Sequence, residues 1–154
     1  MLAIGQKAPD FELKGDASRT VRLSDLLKEG PIVLYFYPMD FTPVCTREAC
    51  MFRDAHSELL KGGLRVYGVS PQTSARHESF RQHHRLPFPL LADTGKKVAR
   101  AYGALGFLGL TVRRISYLIG ADGTIEDAVR ADFRLGQHEG FVRRVLAKTG
   151  SETR

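Results

Sequence analysis

The 154-residue chain contains no tryptophan, only two cysteines and three methionines. Two cysteines cannot staple a chain that lacks its own core, so a disulfide scaffold is excluded. They do not form a Cys-x-x-Cys pair, the spacing of a rapid dithiol-exchange site. Five dispersed histidines (56, 77, 83, 84 and 138) supply no zinc-ligand spacing beside them. No metal, haem or flavin is expected. No apolar run approaches the ~20 residues that a membrane helix needs. The longest, Ile32 to Tyr37, is strand-sized. The first residues, MLAIGQKAPD, lack a basic start followed by a long apolar run, so no signal peptide is expected. These absences point to the cytoplasm and to no membrane partner. Cysteines there stay reduced unless they do chemistry.

Charge of one sign is also not concentrated. Lys and Arg number 23 against 17 Asp and Glu, a net +6, but the basic residues are scattered. Lys96-Lys97, Arg113-Arg114 and Arg143-Arg144 are the tightest groups. Solvated surface charge is the expectation, and a basic nucleic-acid-binding module the rival. Hydrophobic residues at 43% and charged residues at 26% suit one globular domain, here residues 1–154, with a full core.

Ile32-Val-Leu-Tyr-Phe-Tyr37 follows Gly30-Pro31 and stops at Pro38. Its lack of alternation predicts a strand buried on both faces. Leu64 to Val69 and Ile115 to Ile119 are further strands, and Gly120-Ala-Asp-Gly123 turns the latter into Thr124 to Val129. Between them the spacing predicts four helices. One runs from Thr42-Pro43 to about Lys61, and a second from a Ser74 cap to about Arg85. A short third follows Asp93-Thr94 to Tyr102, and a last spans about Gln137 to Lys148. Strands alternating with helices give an α/β layer sandwich. Gly103 to Leu110, apolar and glycine-rich, is expected to cover the core, with self-association as the alternative.

The informative stretch is Tyr37-Pro-Met-Asp-Phe-Thr-Pro-Val-Cys-Thr-Arg-Glu-Ala-Cys50. Pro43 suits the first helical position, where its missing N–H is no loss. Thr42 then becomes the N-cap and Cys45 the third helical residue. Cys45 sits among unsatisfied backbone N–H groups at the positive end of the helix dipole, and both favour a thiolate. Cys50 lies five residues on. In a regular helix the two side chains diverge by ~140°, with Cα atoms ~8–9 Å apart. A disulfide needs about 7 Å or less. The two can bond only after the first turns unwind, so local unfolding of about residues 42–52 is expected to accompany any such bond.

Pro38, Thr42 and Cys45 match the Pro-x-x-x-Thr-x-x-Cys motif of peroxiredoxins. The longer string resembles the bacterioferritin comigratory protein (PrxQ) subfamily. Gly5-Gln-Lys-Ala-Pro-Asp-Phe11, Leu86-Pro-Phe-Pro-Leu-Leu-Ala-Asp93, Val98-Ala-Arg-Ala-Tyr-Gly103 and Arg114-Ile-Ser-Tyr-Leu-Ile119 extend the likeness over nearly the whole chain. The resemblance implies a thioredoxin-like layer sandwich, a central mixed β-sheet flanked by helices. It implies reduction of hydrogen peroxide and organic hydroperoxides by a peroxidatic cysteine, which by position is Cys45. Thr42 would hydrogen-bond peroxide and thiolate, and Pro38 would shield the sulfur from water. Arg114 would stabilise the thiolate and leaving oxygen, and Glu48 would orient an arginine. Cys50 matches the resolving cysteine, closing an intramolecular disulfide that thioredoxin or a similar dithiol protein reduces. The subfamily implies a monomer, with a dimer left open. Val44 stands where the subfamily more often has glycine, which predicts a narrower pocket. A thiol–disulfide oxidoreductase without peroxidase activity is the alternative function.

Overall fold

The unbroken apolar run forms the central strand, β3 (Ile32–Phe36), and every one of its residues is buried. The computed structural model describes residues 1–15, 19–40, 42–130 and 140–147. On one side β3 pairs in parallel with β4 (Arg65–Ser70). On the other it pairs antiparallel with β6 (Ile115–Ile119). Outward from these lie β5 (Leu90–Ala92), β1 (Glu12–Lys14) and β2 (Thr20–Arg22) on one flank and β7 (Ile125–Arg130) on the other. The seven strands run in the order β2-β1-β5-β4-β3-β6-β7. This is the mixed sheet expected of the layer sandwich.

Alternation along β3 divides the core in two. Ile32, Leu34 and Phe36 point to a layer that includes Leu23 of α1 (Leu23–Leu27) and Val98 and Ala99 of α4 (Lys97–Ala101). Val33 and Tyr35 point the other way. They meet Phe52 and Leu59 of α2 (Pro43–Lys61), Phe80 of α3 (Ser74–His84), and Phe141 and Val145 of α5 (140–147). The Tyr35 ring stacks on Phe52, centroids 4.7 Å apart. It also crosses the backbone of β4 at Gly68, where an added Cβ would stand 2.8 Å from both Tyr35 Cζ and Leu90 Cδ2. Only a residue without a side chain fits beneath that ring.

The helix starts repay attention to caps. Pro43 is the first residue of α2 and Thr42, extended at φ −86° and ψ 150°, is its N-cap. The cap of α3 is Thr73 rather than Ser74: Ser74 already has helical geometry, and the Thr73 oxygen accepts the Arg76 N–H at 3.3 Å. Asp93 lies upstream of α4, and its carboxylate accepts the N–H groups of Val98 and Ala99 at 3.2 and 2.8 Å. The predicted ends of the last helix, Gln137 and Lys148, and His138 lie outside the described residues.

Strands β1, β2 and β5 and helix α1 carry no prediction from sequence periodicity. They have three to five residues each, and β1 and β2 are exposed at alternate positions. Such segments are too short to show a period, and the three strands are held by their neighbours in the sheet. The stretch 103–110 divides. Ala104 is buried and Leu105 packs on the core, whereas Leu108 and Leu110 are 78% and 68% exposed. Among the described residues no helix is long and apolar enough to cross a membrane.

Candidate active site

β3 ends against Pro38, and the chain turns through a short loop into the N-terminus of α2. This is the carboxyl edge of the parallel strands β3 and β4, where α/β folds gather their ligands. The first turn of α2 turns Cys45 inward, to 1% exposure, among Tyr37, Ala49 and Phe52. Helical spacing puts Glu48, Ala49 and Phe52 on the same buried side.

Arg114 arrives from across the sheet. In the antiparallel pair Ile115 stands opposite Phe36, so Arg114, the residue just before β6, comes beside Tyr37 and the loop that follows it. Its Nη2 donates to Cys45 Sγ at 3.2 Å. The neighbouring Arg113 instead gives its backbone N–H to the Ala104 carbonyl at 2.7 Å. Two residues 69 positions apart in sequence thus place a fixed positive charge on the sulfur.

Thr42 holds the N-cap position, but its side chain does not cap the helix. Its hydroxyl donates to the Met39 carbonyl at 3.1 Å. Its carbonyl accepts the Thr46 N–H at 2.8 Å, the first helical bond. Pro38 is half-buried, and its carbonyl faces Ser70 Oγ at 3.4 Å. Glu48 is fully buried, and burial pushes its carboxyl up to about 8 while the Arg114 charge works in the opposite direction. Cys50 sits on the same regular helix as Cys45, half-buried, and both thiols are free. The structure therefore gathers Cys45, Thr42, Pro38, Glu48 and Arg114 around one end of the sheet, with Cys50 a little over one turn further along α2.

A second group of side chains at the same edge was not singled out from the sequence. Asp40, fully buried, accepts the Tyr37 hydroxyl at 2.5 Å through Oδ1. Its Oδ2 lies 2.6 Å from His77 Nδ1 on α3. Burial, followed by the Tyr35 and Asp40 charges, holds the Tyr37 phenol well above its usual range, so it remains a donor. Asp40 stands inside the cysteine motif, which was the available signal. His77 offered none, because its pairing depends on α3 lying against β3.

Comparison with known proteins fits this geometry. The AhpC/TSA family model matches residues 4–128. The chain belongs to the AhpC/TSA peroxiredoxins, in their Bcp/PrxQ branch. Peroxiredoxin Bcp of Bacillus subtilis is 45% identical over 130 residues, which cover 80% of this chain and 82% of that one. A chloroplastic peroxiredoxin Q of Oryza sativa is 37% identical over 143 residues; the match covers 92% of this chain and 65% of the longer plant protein. The crystal structure of peroxidoxin BcpB from Mycobacterium tuberculosis superposes with a TM-score of 0.88 at 33% identity, covering 96% and 98% of the two chains. The fold is thus the thioredoxin-like sandwich, and this peroxiredoxin is a thiol peroxidase.

Proposed function

We propose that the chain reduces hydrogen peroxide and organic hydroperoxides with Cys45 as the attacking sulfur and Cys50 as its resolving partner. The observation that carries this is the Arg114 guanidinium 3.2 Å from Cys45 Sγ at the N-terminus of α2. A thiolate attacks the nearer peroxide oxygen, the O–O bond breaks, and water or an alcohol leaves after taking up a proton. Cys45 becomes a sulfenic acid. The leaving oxygen gains negative charge as the bond breaks, and Arg114 is placed to meet it. The Thr42 hydroxyl, donating to Met39, retains lone pairs that can accept the proton of an incoming hydroperoxide. Pro38 shields the sulfur, and Glu48 steadies the arginine.

In the second step the Cys50 sulfur attacks the Cys45 sulfenic sulfur, the S–O bond breaks, and the hydroxyl leaves as water with the thiol proton. An intact α2 holds the two Cα atoms ~8–9 Å apart, so its first turns must open. Thioredoxin or a similar dithiol protein then exchanges with the disulfide and returns both thiols. Such a cycle needs a reducing compartment, for which we propose the cytoplasm. One domain spanning 1–154 and acting as a monomer is sufficient for every step.

The test is intact mass and thiol count after one equivalent of hydrogen peroxide meets the reduced protein. The Cys50→Ser variant is run in parallel. The expected result is loss of both thiols as one internal disulfide in the wild type and a trappable sulfenic acid in the variant. Survival of both thiols while peroxide persists would overturn the reading. A covalently linked dimer would keep the peroxidase step and overturn Cys50 as an intramolecular partner.

A further inference from the structure

The loop that carries the cysteine motif is tied down by a buried polar cluster that the steps above do not use. Asp40 is 0%, Tyr37 1% and His77 2% exposed. A carboxylate without water around it must find its hydrogen bonds in the protein. Asp40 finds them from two elements. Tyr37, at the end of β3, donates to Oδ1 at 2.5 Å. His77, on α3, approaches Oδ2 at 2.6 Å, and as a carboxylate only accepts, the Nδ1 proton lies between them. The other ring nitrogen, Nε2, stands 3.4 Å from the Ser70 carbonyl at the end of β4. Ser70 Oγ reaches the Pro38 carbonyl at 3.4 Å, and the Tyr37 N–H bonds the Val69 carbonyl at 3.1 Å. The segment from Tyr37 to Asp40 is thereby bonded to β4 and α3, up to two residues before Thr42.

We infer that the Tyr37–Asp40–His77 cluster is the anchor that positions Cys45 against Arg114 and fixes where the opening of α2 begins. The inference deepens the proposed function and rests on Cys45 and Cys50 acting as assigned there. With Asp40 held, the loop has a fixed end, and the first turns of α2 can unwind only beyond it. Without Asp40 held, the whole stretch from Pro38 is free to lift. The Cys45 sulfur then loses its place beside Arg114 more of the time. Tyr37 and His77 are positioning residues, since both act through their hydrogen bonds to Asp40. The anchor has two opposed consequences. It speeds the attack on peroxide by keeping Cys45 in register with Arg114. It slows resolution by resisting the opening that lets Cys50 reach the sulfenic acid. A sulfenic acid held longer meets a second hydroperoxide more often, giving the sulfinic acid and one molecule of water or alcohol.

The experiment uses the full chain carrying Tyr37→Phe, His77→Leu and His77→Asn. Tyr37→Phe keeps the ring that stacks on Tyr35 and removes one hydrogen bond, so it tests the proposal even where His77→Leu fails to fold. His77→Asn retains an N–H donor close to the Nδ1 position. Losing a hydrogen bond to a charged group should raise opening by ~10-fold or more. Amide exchange across 43–50 should therefore rise by about that factor in Tyr37→Phe and His77→Leu, with β3 and β6 unchanged. It should return toward wild type in His77→Asn. Sulfinic acid formed per turnover at high hydrogen peroxide should fall in the same two variants, as should the rate of the first thiol oxidation. Unchanged exchange across 43–50 in folded Tyr37→Phe overturns the anchor, as does an unchanged sulfinic yield where exchange has risen. Exchange is also read in Cys50→Ser, where no disulfide can form. A wild type that forms no internal disulfide overturns the Cys50 assignment, and the exchange result still decides the anchor separately.

Discussion

At the scale of the residue, a guanidinium 3.2 Å from a sulfur has two separable effects. In the proposed reaction it would stabilise negative charge on the sulfur before the attack and on the leaving oxygen during it. An unperturbed cysteine is ~3% thiolate at pH 7, so complete ionisation is worth at most ~30-fold, or ~2 kcal/mol. Loss of a donor that meets developing charge costs ~100–1,000-fold. Arg114→Met should therefore slow sulfenic acid formation by more than its measured change in thiolate fraction. Stopped-flow oxidation beside a thiolate titration checks this, and a loss wholly explained by ionisation would refute the second effect. Val44, half-buried in the same first turn, stands next to the reacting sulfur. Val44→Gly should raise kcat/KM for cumene hydroperoxide several-fold relative to hydrogen peroxide by widening the approach. An unchanged ratio of the two would show that Val44 does not limit access.

At the scale of the element, the sheet is built around β3, and its Tyr35 ring lies across β4 at Gly68. A methyl group at that position would overlap the ring and the Leu90 side chain. Both are held in a packed layer with little room to move. Gly68→Ala should therefore destabilise the fold by ~1–3 kcal/mol, the usual cost of overpacking. Urea unfolding should show a lower midpoint with an unchanged slope. A variant as stable as the wild type would mean that the layer yields there. Helix α2 faces the opposite demand. Its buried stripe of Cys45, Ala49, Phe52 and Leu59 fastens its length to the core, while the proposed resolution by Cys50 requires its first turn to release. In that proposal the C-terminal half of α2 is the fixed part against which the turn moves.

At the scale of the whole molecule, burying Glu48 couples folding to pH. Its carboxyl is raised from 4.5 to about 8 by burial, against the opposing charge of Arg114. The folded state therefore holds this proton more tightly than the unfolded chain. The stability it contributes is complete below about pH 4.5 and is lost as pH rises through about 8. Glu48→Gln has nearly the same shape and cannot ionise. The difference in unfolding free energy between the two proteins should change by a few kcal/mol across that window, with the wild type losing ground as pH rises. Denaturant curves at pH 5, 6.5 and 8 measure it. Parallel pH profiles would show that Glu48 does not carry the coupling.

The sequence by itself determined the central strand, the start and end of α2 and the placing of Cys45 in its first turn. These follow from local rules: an apolar run closed by prolines, a proline at the first helical position, two glycines at the end. It also carried the family, through a motif contained in 14 consecutive residues. The cap of α3 was misplaced by one residue, because Thr73 and Ser74 have the same capping chemistry and only the backbone chooses between them. The short strands β1, β2 and β5 were invisible because pairing, rather than local preference, makes them extended. Composition and spacing left Arg113 and Arg114 equivalent, and only the family resemblance chose between them. The antiparallel register of β3 and β6 gives the physical reason, since it brings one of them to the sulfur. The partnership of Asp40 with His77 was likewise decided by packing. Interactions between residues 37 positions apart leave no period in a sequence, and only the folded sheet brings them within 2.6 Å.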